Sequence, residues 1–404
     1  MTRRRKNTRR GDGEGSIHQR PNGTWAAQVS LGNDPLTGKR KRRSIYGKTR
    51  QDVAKKLTKL LREVQTGTYI EPTKTSLKDW LKKWLPTYKR GNLKGGTYEI
   101  YERLIDLHIV PALGKIPLAK LQAHQIQNFY NAKQADGGRL DGKPGGLSTS
   151  IVNHFHVIIR QALEQAVNEG LLARNVADAT NPPVVRSKKF QPLTEAQLLT
   201  FFGQAKGDRL FAAYLVGATT GMRRGEICGL CWDSVNLDKG VIIVQRQLVV
   251  LKDGLKLEET TKSESGKRNI PLTDDAIAEL KAYRRQQAQE KLLLGAAYQD
   301  NNLVFCKEDG SFIDPREFTK WFQKHLEAAG LPRVRLHDLR HTHATLLLEK
   351  GVHAKIVQER LGHSSITVTL DLYSHVAPGL QEQAARALDG LLKKDPAKKS
   401  RETN

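Results

Sequence analysis

Three short motifs in the C-terminal half contain side chains that could carry chemistry. They are Thr-Gly-Met-Arg-Arg-Gly-Glu at 220–226, His-Asp-Leu-Arg at 337–340, and Leu-Gly-His at 361–363, which Leu-Tyr follows at 372–373. A polar segment at 261–271 lies between the first two motifs, contains a lysine and leads into a predicted strand. These segments bring arginine, lysine, histidine and tyrosine side chains into one half of the chain.

Together these residue types meet the needs of transesterification at a phosphodiester. Arginines offer permanently charged forks that match phosphate oxygens, histidines and lysine exchange protons, and tyrosine can hold a covalent intermediate. Arginines can supply the electrostatic stabilisation, so the reaction needs no metal. The covalent ester keeps the bond energy, so it needs no ATP or other cofactor. The candidate residues are Arg223, Lys262, His337, Arg340, His363 and Tyr373.

Each motif alone also has an ordinary structural explanation. His337 and His341 could form a pair on a helix surface, and no glutamate follows His337 as in a zinc-binding His-Glu-x-x-His motif. Cys228 and Cys231 have metal-like spacing, but no second pair exists, so we expect the cysteines to be small core residues. Only the joint occurrence of the motifs indicates a catalytic site.

Two of the candidates have close competitors. Arg224 stands beside Arg223, and the Thr-Gly-Met-Arg context favours Arg223. Lys256 and Lys267 lie close to Lys262, and the Thr-Lys-Ser and Arg-Asn-Ile-Pro context favours Lys262. The sequence alone leaves all three alternatives open.

The elements around these motifs predict a mainly helical domain with a small antiparallel sheet. Helices resume at 194, strands follow over about 240–272 with Asp253-Gly254 as a hairpin turn, and the remainder is helical. Residues 380–392 form an amphipathic stretch whose simplest explanation is a helix packed on its own domain.

The charge of the chain predicts a polyanionic partner. Of 404 residues, 67 are Lys or Arg and 42 are Asp or Glu, which gives a formal net charge of +25. Nucleic acid is the usual partner of such a protein. No apolar run approaches a membrane span and no signal peptide is evident, so we expect a cytoplasmic protein without membrane contact.

The N-terminal part predicts two further domains. Residues 1–66 contain 18 Lys or Arg against five acidic residues. They show a strand near Trp25, a second strand carrying the basic run 39–43, and a helix over 50–65. Residues 75–182 have the apolar periodicity of helices, including one predicted to stop before Pro111. We therefore expect a small sheet with one helix, followed by an all-helical domain.

The order and context of the motifs resemble those of the tyrosine recombinase, or phage integrase, family over essentially the whole chain. The resemblance implies a multi-domain fold: an AP2-like arm-binding domain at 1–66, a SAM-like core-binding domain at 75–182 and a catalytic domain at 190–392. The basic strand would bind DNA through Lys39, Arg40, Lys41, Arg42 and Arg43.

The resemblance also implies a role for each candidate. Arg223 and Arg340 would clamp the scissile phosphate, and His363 would add a hydrogen bond to it. His337 would exchange a proton with Tyr373, the nucleophile. Lys262 would protonate the leaving 5′ oxygen, and Glu226 would brace the site.

The implied activity is integration and excision of a mobile element through a 3′-phosphotyrosine. A homotetramer would act on core and arm sites of double-stranded DNA, with a DNA-bending protein and an excision factor as further partners. The stretch 380–392 would dock on a neighbouring protomer. A type IB topoisomerase-like enzyme and a catalytically silent DNA-binding regulator are the alternatives.

Overall fold

The computed structural model describes residues 16–33, 38–66, 69, 74–185, 192–259 and 267–373, apart from the side chains of residues 33, 368 and 371–373. Lys262 and the amphipathic stretch 380–392 lie outside these residues. The chain divides into two compact units, 1–186 and 187–404. Among the described residues, no helix is both long enough and apolar enough to cross a membrane.

A three-stranded antiparallel sheet and one helix open the first unit. The strands are β1 (Ser16–Gln19), β2 (Trp25–Asn33) and β3 (Arg40–Gly47), in that spatial order. Helix α1 (Arg50–Gln65) has the bounds that the sequence predicts, and the Thr49 side chain caps it by accepting from the Asp52 N–H. Its apolar stripe covers one face of the sheet, where Ala27 and Val29 pack against Val53, Leu57 and Leu60.

The rest of the first unit is helical, which confirms the expectation. Its helices are α2 (Leu77–Trp84), α3 (Gly95–Leu104), α4 (Val110–Leu113), α5 (Ala123–Gln134) and α6 (Thr149–Asn168). Ser76 and Ser148 cap α2 and α6 by accepting hydrogen bonds from backbone N–H groups. The apolar stripes of these helices enclose a core of their own.

The prediction that a helix stops before Pro111 is wrong. The π-helical turn Ile105–Ile109 follows α3, and Pro111 lies in the first turn of α4 directly after it. In a regular α-helix a proline clashes with the carbonyl four residues earlier and lacks an N–H, but here the turn before it is π-helical, with helical backbone at Ile109 and Val110. The altered turn therefore lets the chain continue helically through the proline.

The second unit surrounds two small antiparallel sheets with helices. Strands β4 (Val235–Asn236), β5 (Val241–Val244) and β8 (Arg268–Pro271) form one sheet, and β6 (Arg246–Leu251) and β7 (Gly254–Glu259) form a hairpin. Leu251 pairs with Gly254, so the turn is residues 252–253, one position earlier than predicted. The helices are α7 (Glu195–Ala205), α8 (Phe211–Thr220), α9 (Arg224–Cys228), α10 (Asp274–Leu294), α11 (Pro315–Ala328), α12 (Asp338–Glu349), α13 (Ala354–Leu361) and α14 (Ile366–Tyr373).

An aromatic core fixes α8, the helix that ends just before Arg223. Tyr214 of α8 stacks on Phe318 of α11 with ring centroids 5.2 Å apart. Phe201 of α7 meets Phe322 of α11 at 5.0 Å. Helix α8 also packs against α12, so the end of α8 and the start of α12 are fixed relative to each other.

Candidate active site

The C-terminal end of α13 is the point at which two of the catalytic candidates, Arg223 and Arg340, meet a third arginine. Three consecutive carbonyls accept hydrogen bonds from three different arginines: Arg268 Nε binds the carbonyl of Arg360 at 2.9 Å, Arg340 Nη2 that of Leu361 at 2.7 Å, and Arg223 Nη2 that of Gly362 at 3.1 Å. The last carbonyls of a helix lack intrahelical partners and carry partial negative charge. This end of α13 therefore gathers positive charge.

Arg223 lies just before α9 and is held by Glu226, one turn later. Glu226 accepts from the Arg223 backbone N–H at 2.8 Å and from Nη1 at 2.7 Å. The Glu226 side chain is 1% exposed and that of Arg223 is 40% exposed. Burial alone would raise the pKa of Glu226, but hydrogen bonding to Arg268 and the charges of Arg268 and Arg223 hold it below the usual value. A buried anion therefore fixes an arginine that still reaches solvent.

Arg340 lies on the first turn of α12 and is almost fully buried. Its Nη1 donates to the carbonyl of Gly221 at 2.7 Å, which attaches α12 to the loop that leads to Arg223. Burial lowers the pKa of Arg340 to about 9, Arg223 and Arg268 add repulsion, and Glu226 opposes them. Arg340 still carries its charge at neutral pH. The two catalytic arginine candidates thus share one electrostatic environment.

His363 follows α13 in the loop that leads to α14. Its Nδ1 lies 3.0 Å from the hydroxyl of Thr369, which is fully buried on α14. Burial and then the charges of Arg340 and Arg223 lower the pKa of His363 to about 4. His363 is therefore a neutral imidazole beside the two arginines.

Tyr373 is the last residue of α14, one helical turn beyond Thr369. Helix α14 packs against both α12 and α13. The backbone of Tyr373 therefore belongs to a helix that contacts the helix bearing Arg340. Its side chain lies outside the described atoms.

His337 lies at the start of α12, where the neighbouring Asp338 binds Arg335 of the preceding loop. Asp338 accepts from the backbone N–H of Arg335 at 2.8 Å and from Arg335 Nη2 at 2.7 Å. The ring of His337 meets that of His341 edge to face at 5.1 Å. Although His337 retains solvent exposure, the surrounding protein and then the neighbouring His341 and Arg340 lower its pKa, to about 4. It is available as a proton acceptor at neutral pH.

Sequence reasoning missed three residues that hold this arrangement together. His343 Nε2 accepts from Arg360 Nε at 3.1 Å, so its Nδ1 carries the proton and donates to the carbonyl of Ala218 at 2.9 Å. Arg360 Nη2 also donates to the carbonyls of Thr219 and Pro271. Arg268 is the third, and only the Arg-Asn-Ile-Pro context could have drawn attention to it. His343 and Arg360 give no local signal.

The competitors named from the sequence occupy different places. The exposed Arg224 donates to Thr319 of α11 at 3.0 Å rather than to the α13 carbonyls. Lys256 lies within β7, opposite Val249 of β6, and Lys267 directly precedes β8. Since Lys262 is outside the described residues, its position among the other candidates stays a prediction.

The basic run of the first unit is divided between two faces of its sheet. Arg42 pairs with Ser30 of β2, on the face opposite the helix, and is exposed. Arg43 pairs with the buried Val29 and lies on the helix side, where it is half-buried. Arg40 Nε reaches Ser30 at 2.9 Å, so it joins Arg42 on the open face. Lys39 and Lys41 are also exposed.

Known proteins resemble this chain over most of its length. The profile of the phage integrase family matches residues 157–379, and that of the phage integrase N-terminal SAM-like domain matches residues 76–134. The XerC-like tyrosine recombinase of Caldanaerobacter subterraneus subsp. tengcongensis is 30% identical over 387 residues, which cover 91% of this chain and 96% of the relative.

Two solved structures share the fold. The Tn1549 transposon integrase in complex with a circular intermediate DNA gives a TM-score of 0.63 at 23% identity, covering 78% of this chain and 99% of that one. A lambda integrase tetramer bound to a Holliday junction gives 0.52 at 20% identity, covering 90% and 96%. With the family profile covering more than half of its residues, this chain belongs to the phage integrase family and is a tyrosine site-specific recombinase.

Proposed function

We propose that this recombinase integrates and excises a mobile element by breaking and rejoining DNA through a 3′-phosphotyrosine at Tyr373. The observation that carries the proposal is the meeting of Arg223 and Arg340, 117 residues apart in sequence, on the adjacent carbonyls of Leu361 and Gly362. A site that places two guanidinium groups beside a neutral histidine is suited to a phosphate that gains charge in its transition state.

In the proposed reaction the Tyr373 oxygen attacks the scissile phosphorus in line with the leaving 5′ oxygen. Arg223 and Arg340 neutralise the non-bridging oxygens. With the Thr369 hydroxyl donating to Nδ1, the Nε2 of His363 carries a proton that it can donate to the same phosphate. The P–O5′ bond breaks as the Tyr373–phosphorus bond forms, and the reverse attack by a partner strand's 5′-hydroxyl completes strand exchange.

Two protons move in this step. His337 accepts the proton of the Tyr373 hydroxyl, for which its low pKa keeps it neutral. Lys262 donates a proton to the departing 5′ oxygen. The assignment of Lys262 rests on its sequence context alone, and Lys256 and Lys267 are the alternatives that a lysine scan would test.

We further propose that the chain works as three domains within a homotetramer on double-stranded DNA. Separate apolar clusters support the domains: one lies under the β1–β3 sheet, one lies among α2–α6, and the extensive cluster of the second unit is distinct from both. Residues 1–66 would hold arm sites through Arg40 and Arg42, while the other two would enclose the core site. The lambda integrase tetramer on a Holliday junction supports the assembly. In this assembly the stretch 380–392 would dock on a neighbouring protomer.

Covalent trapping on a nicked junction DNA of the native element tests the reaction. The wild type should form a protein–DNA covalent complex and Tyr373→Phe should form none. Arg223→Lys should lower the rate about 10²- to 10³-fold, as loss of an aligned donor does, whereas its neighbour Arg224→Lys should not. Covalent complex with Tyr373→Phe would overturn the proposed nucleophile.

The same assay separates the recombinase from its alternatives. Joining of two different duplexes is expected of a recombinase, whereas a topoisomerase would only reseal the duplex that it cut. A regulator without catalysis would bind the junction DNA and form no covalent complex.

A further inference from the structure

Arg268, the first residue of β8, contacts two parts of the site at once. Its Nη1 and Nη2 donate to the two oxygens of Glu226 at 3.2 and 2.7 Å, and its Nε donates to the carbonyl of Arg360 at 2.9 Å. The side chain is 6% exposed. All three guanidinium nitrogens of Arg268 therefore already donate to protein acceptors, and its charge serves other protein groups.

Both partners of Arg268 hold the proposed phosphate-binding arginines. Glu226 accepts from the backbone and from Nη1 of Arg223. The Arg360 carbonyl precedes the Leu361 and Gly362 carbonyls, which accept from Arg340 and Arg223. A shift of Arg268 would thus reach Arg223 both through Glu226 and through the Gly362 carbonyl. It would reach Arg340 through the Leu361 carbonyl.

A reciprocal contact makes the connection between β8 and α13 rigid. Arg360 of α13 donates through Nη2 to the carbonyl of Pro271, the last residue of β8, at 3.0 Å. Arg268 at the first residue of β8 donates back to the carbonyl of Arg360. The strand is therefore attached to the same helical turn at both of its ends.

We propose that Arg268 is a positioning residue that sets the distance between the Arg223 and Arg340 guanidinium groups at the scissile phosphate. This inference rests on the proposed function. A lysine could not replace Arg268, because one ammonium group cannot donate bidentately to Glu226 and also reach the Arg360 carbonyl in a fixed direction. The role is indirect, through Glu226 and the end of α13, and involves no contact with DNA.

Cleavage of two matched substrates tests the proposal. One is the nicked junction DNA with an ordinary scissile phosphodiester, and the other carries a methylphosphonate there, which removes the negative charge that the two arginines neutralise. Single-turnover rates with saturating protein exclude effects on DNA affinity. Arg268→Lys should lower the rate about 10- to 100-fold on the phosphodiester, as a small misplacement of a reacting group does. Its rate on the methylphosphonate should stay close to that of the wild type.

Other variants separate positioning from folding. Arg246→Met breaks an ion pair with Asp233 in the same unit, away from the α13 carbonyls, and should leave both rates unchanged. Arg268→Met, which removes the charge, should repeat the substrate-selective loss more strongly. An equal loss on both substrates, no loss, or failure of both Arg268 variants to give the wild-type circular dichroism spectrum would overturn the proposal. If the wild type itself forms no covalent complex, the proposed function fails instead.

Discussion

Glu226 shows how a single buried charge can organise a site. A carboxylate that is 1% exposed is costly to bury, and two arginines compensate for the lost hydration. Removing the charge would leave Arg268 buried without its partner. Glu226 therefore affects stability and catalysis together, and only a matched control can separate the two effects.

We expect Glu226→Gln to lower the free energy of unfolding by about 3–5 kcal/mol, the usual cost of breaking a buried pair. Cleavage by the folded variant should fall because Arg223 loses its ionic partner. Urea unfolding and single-turnover cleavage measure the two effects. Glu290→Gln, which breaks the partly buried pair with Arg209, should lower stability and spare cleavage. Equal cleavage by both variants would contradict the assigned role.

His343 predicts an acid-sensitive stability. Burial, and then the charge of Arg360, lower its pKa to about 4 in the folded protein. Between this value and the ordinary value of about 6.5 the unfolded chain binds a proton that the folded chain does not, so acid favours unfolding. The stabilising contribution is complete above pH 6.5 and is lost as the pH falls towards 4.

We expect His343 to account for about 2 kcal/mol of lost stability between pH 7 and pH 5. Urea unfolding of the wild type and of His343→Gln at both pH values measures the contribution. The variant should be less stable at pH 7 and should depend less on pH. Identical pH dependence of the two proteins would contradict the assignment.

At the scale of elements, the loop between α8 and α9 must approach α13 and α12 closely. Gly221 has φ of +67°, and a Cβ there would lie 2.5 Å from Leu361 Cδ2 and 2.8 Å from His343 Cδ2. Its carbonyl accepts from Arg340. A glycine is therefore required both by the backbone conformation and by the space between the elements.

Gly221→Ala should destabilise the protein by more than the roughly 1–2 kcal/mol of left-handed strain, and should slow cleavage by moving the acceptor of Arg340. Gly330→Ala is the matched control, since Gly330 has φ of +65° and no atom within 4 Å of an added Cβ. Urea unfolding should show the smaller loss for Gly330→Ala, without a change in cleavage. Equal losses of stability in the two variants would mean that the close contacts of Gly221 with Leu361 and His343 add no cost to the backbone strain.

At the scale of the whole molecule, charge is the dominant feature, with a formal net charge of +25. Binding to DNA releases counterions, so affinity should fall steeply with salt concentration. If residues 1–66 bind arm sites as proposed, their excess of basic residues should contribute part of this salt dependence. The open face of the β1–β3 sheet, with Arg40 and Arg42, is the surface that we expect to meet them.

We expect Arg42→Ala to weaken arm-site binding and to reduce the slope of log affinity against log salt by about 1, the value for one phosphate contact. Lys59→Ala removes an exposed charge from α1, on the other side of the sheet, and is the control. Fluorescence anisotropy over a salt series gives both slopes. A larger effect of Lys59→Ala would move the arm-site surface to the helix.

The sequence by itself determined the elements and the chemical set. Apolar periodicity predicts α1 over 50–65, the bounds that the structure gives it, because this signal is local. The ordered motifs name Arg223, His337, Arg340, His363 and Tyr373 before any geometry is known. Pro111 escaped prediction, because the altered turn before it has no sequence signature.

Only the tertiary structure decided how the site is held together. Arg268 and Arg360 look like ordinary basic residues in the sequence, yet each joins elements that are distant along the chain. Both arginines also donate to backbone carbonyls, which every residue has, so side-chain identities alone cannot reveal that part of the pairing. Likewise, which basic side chains of β3 are exposed depends on which face of the sheet α1 covers, and this is a property of the packing. Local patterns place side chains along an element, and packing decides which groups they meet.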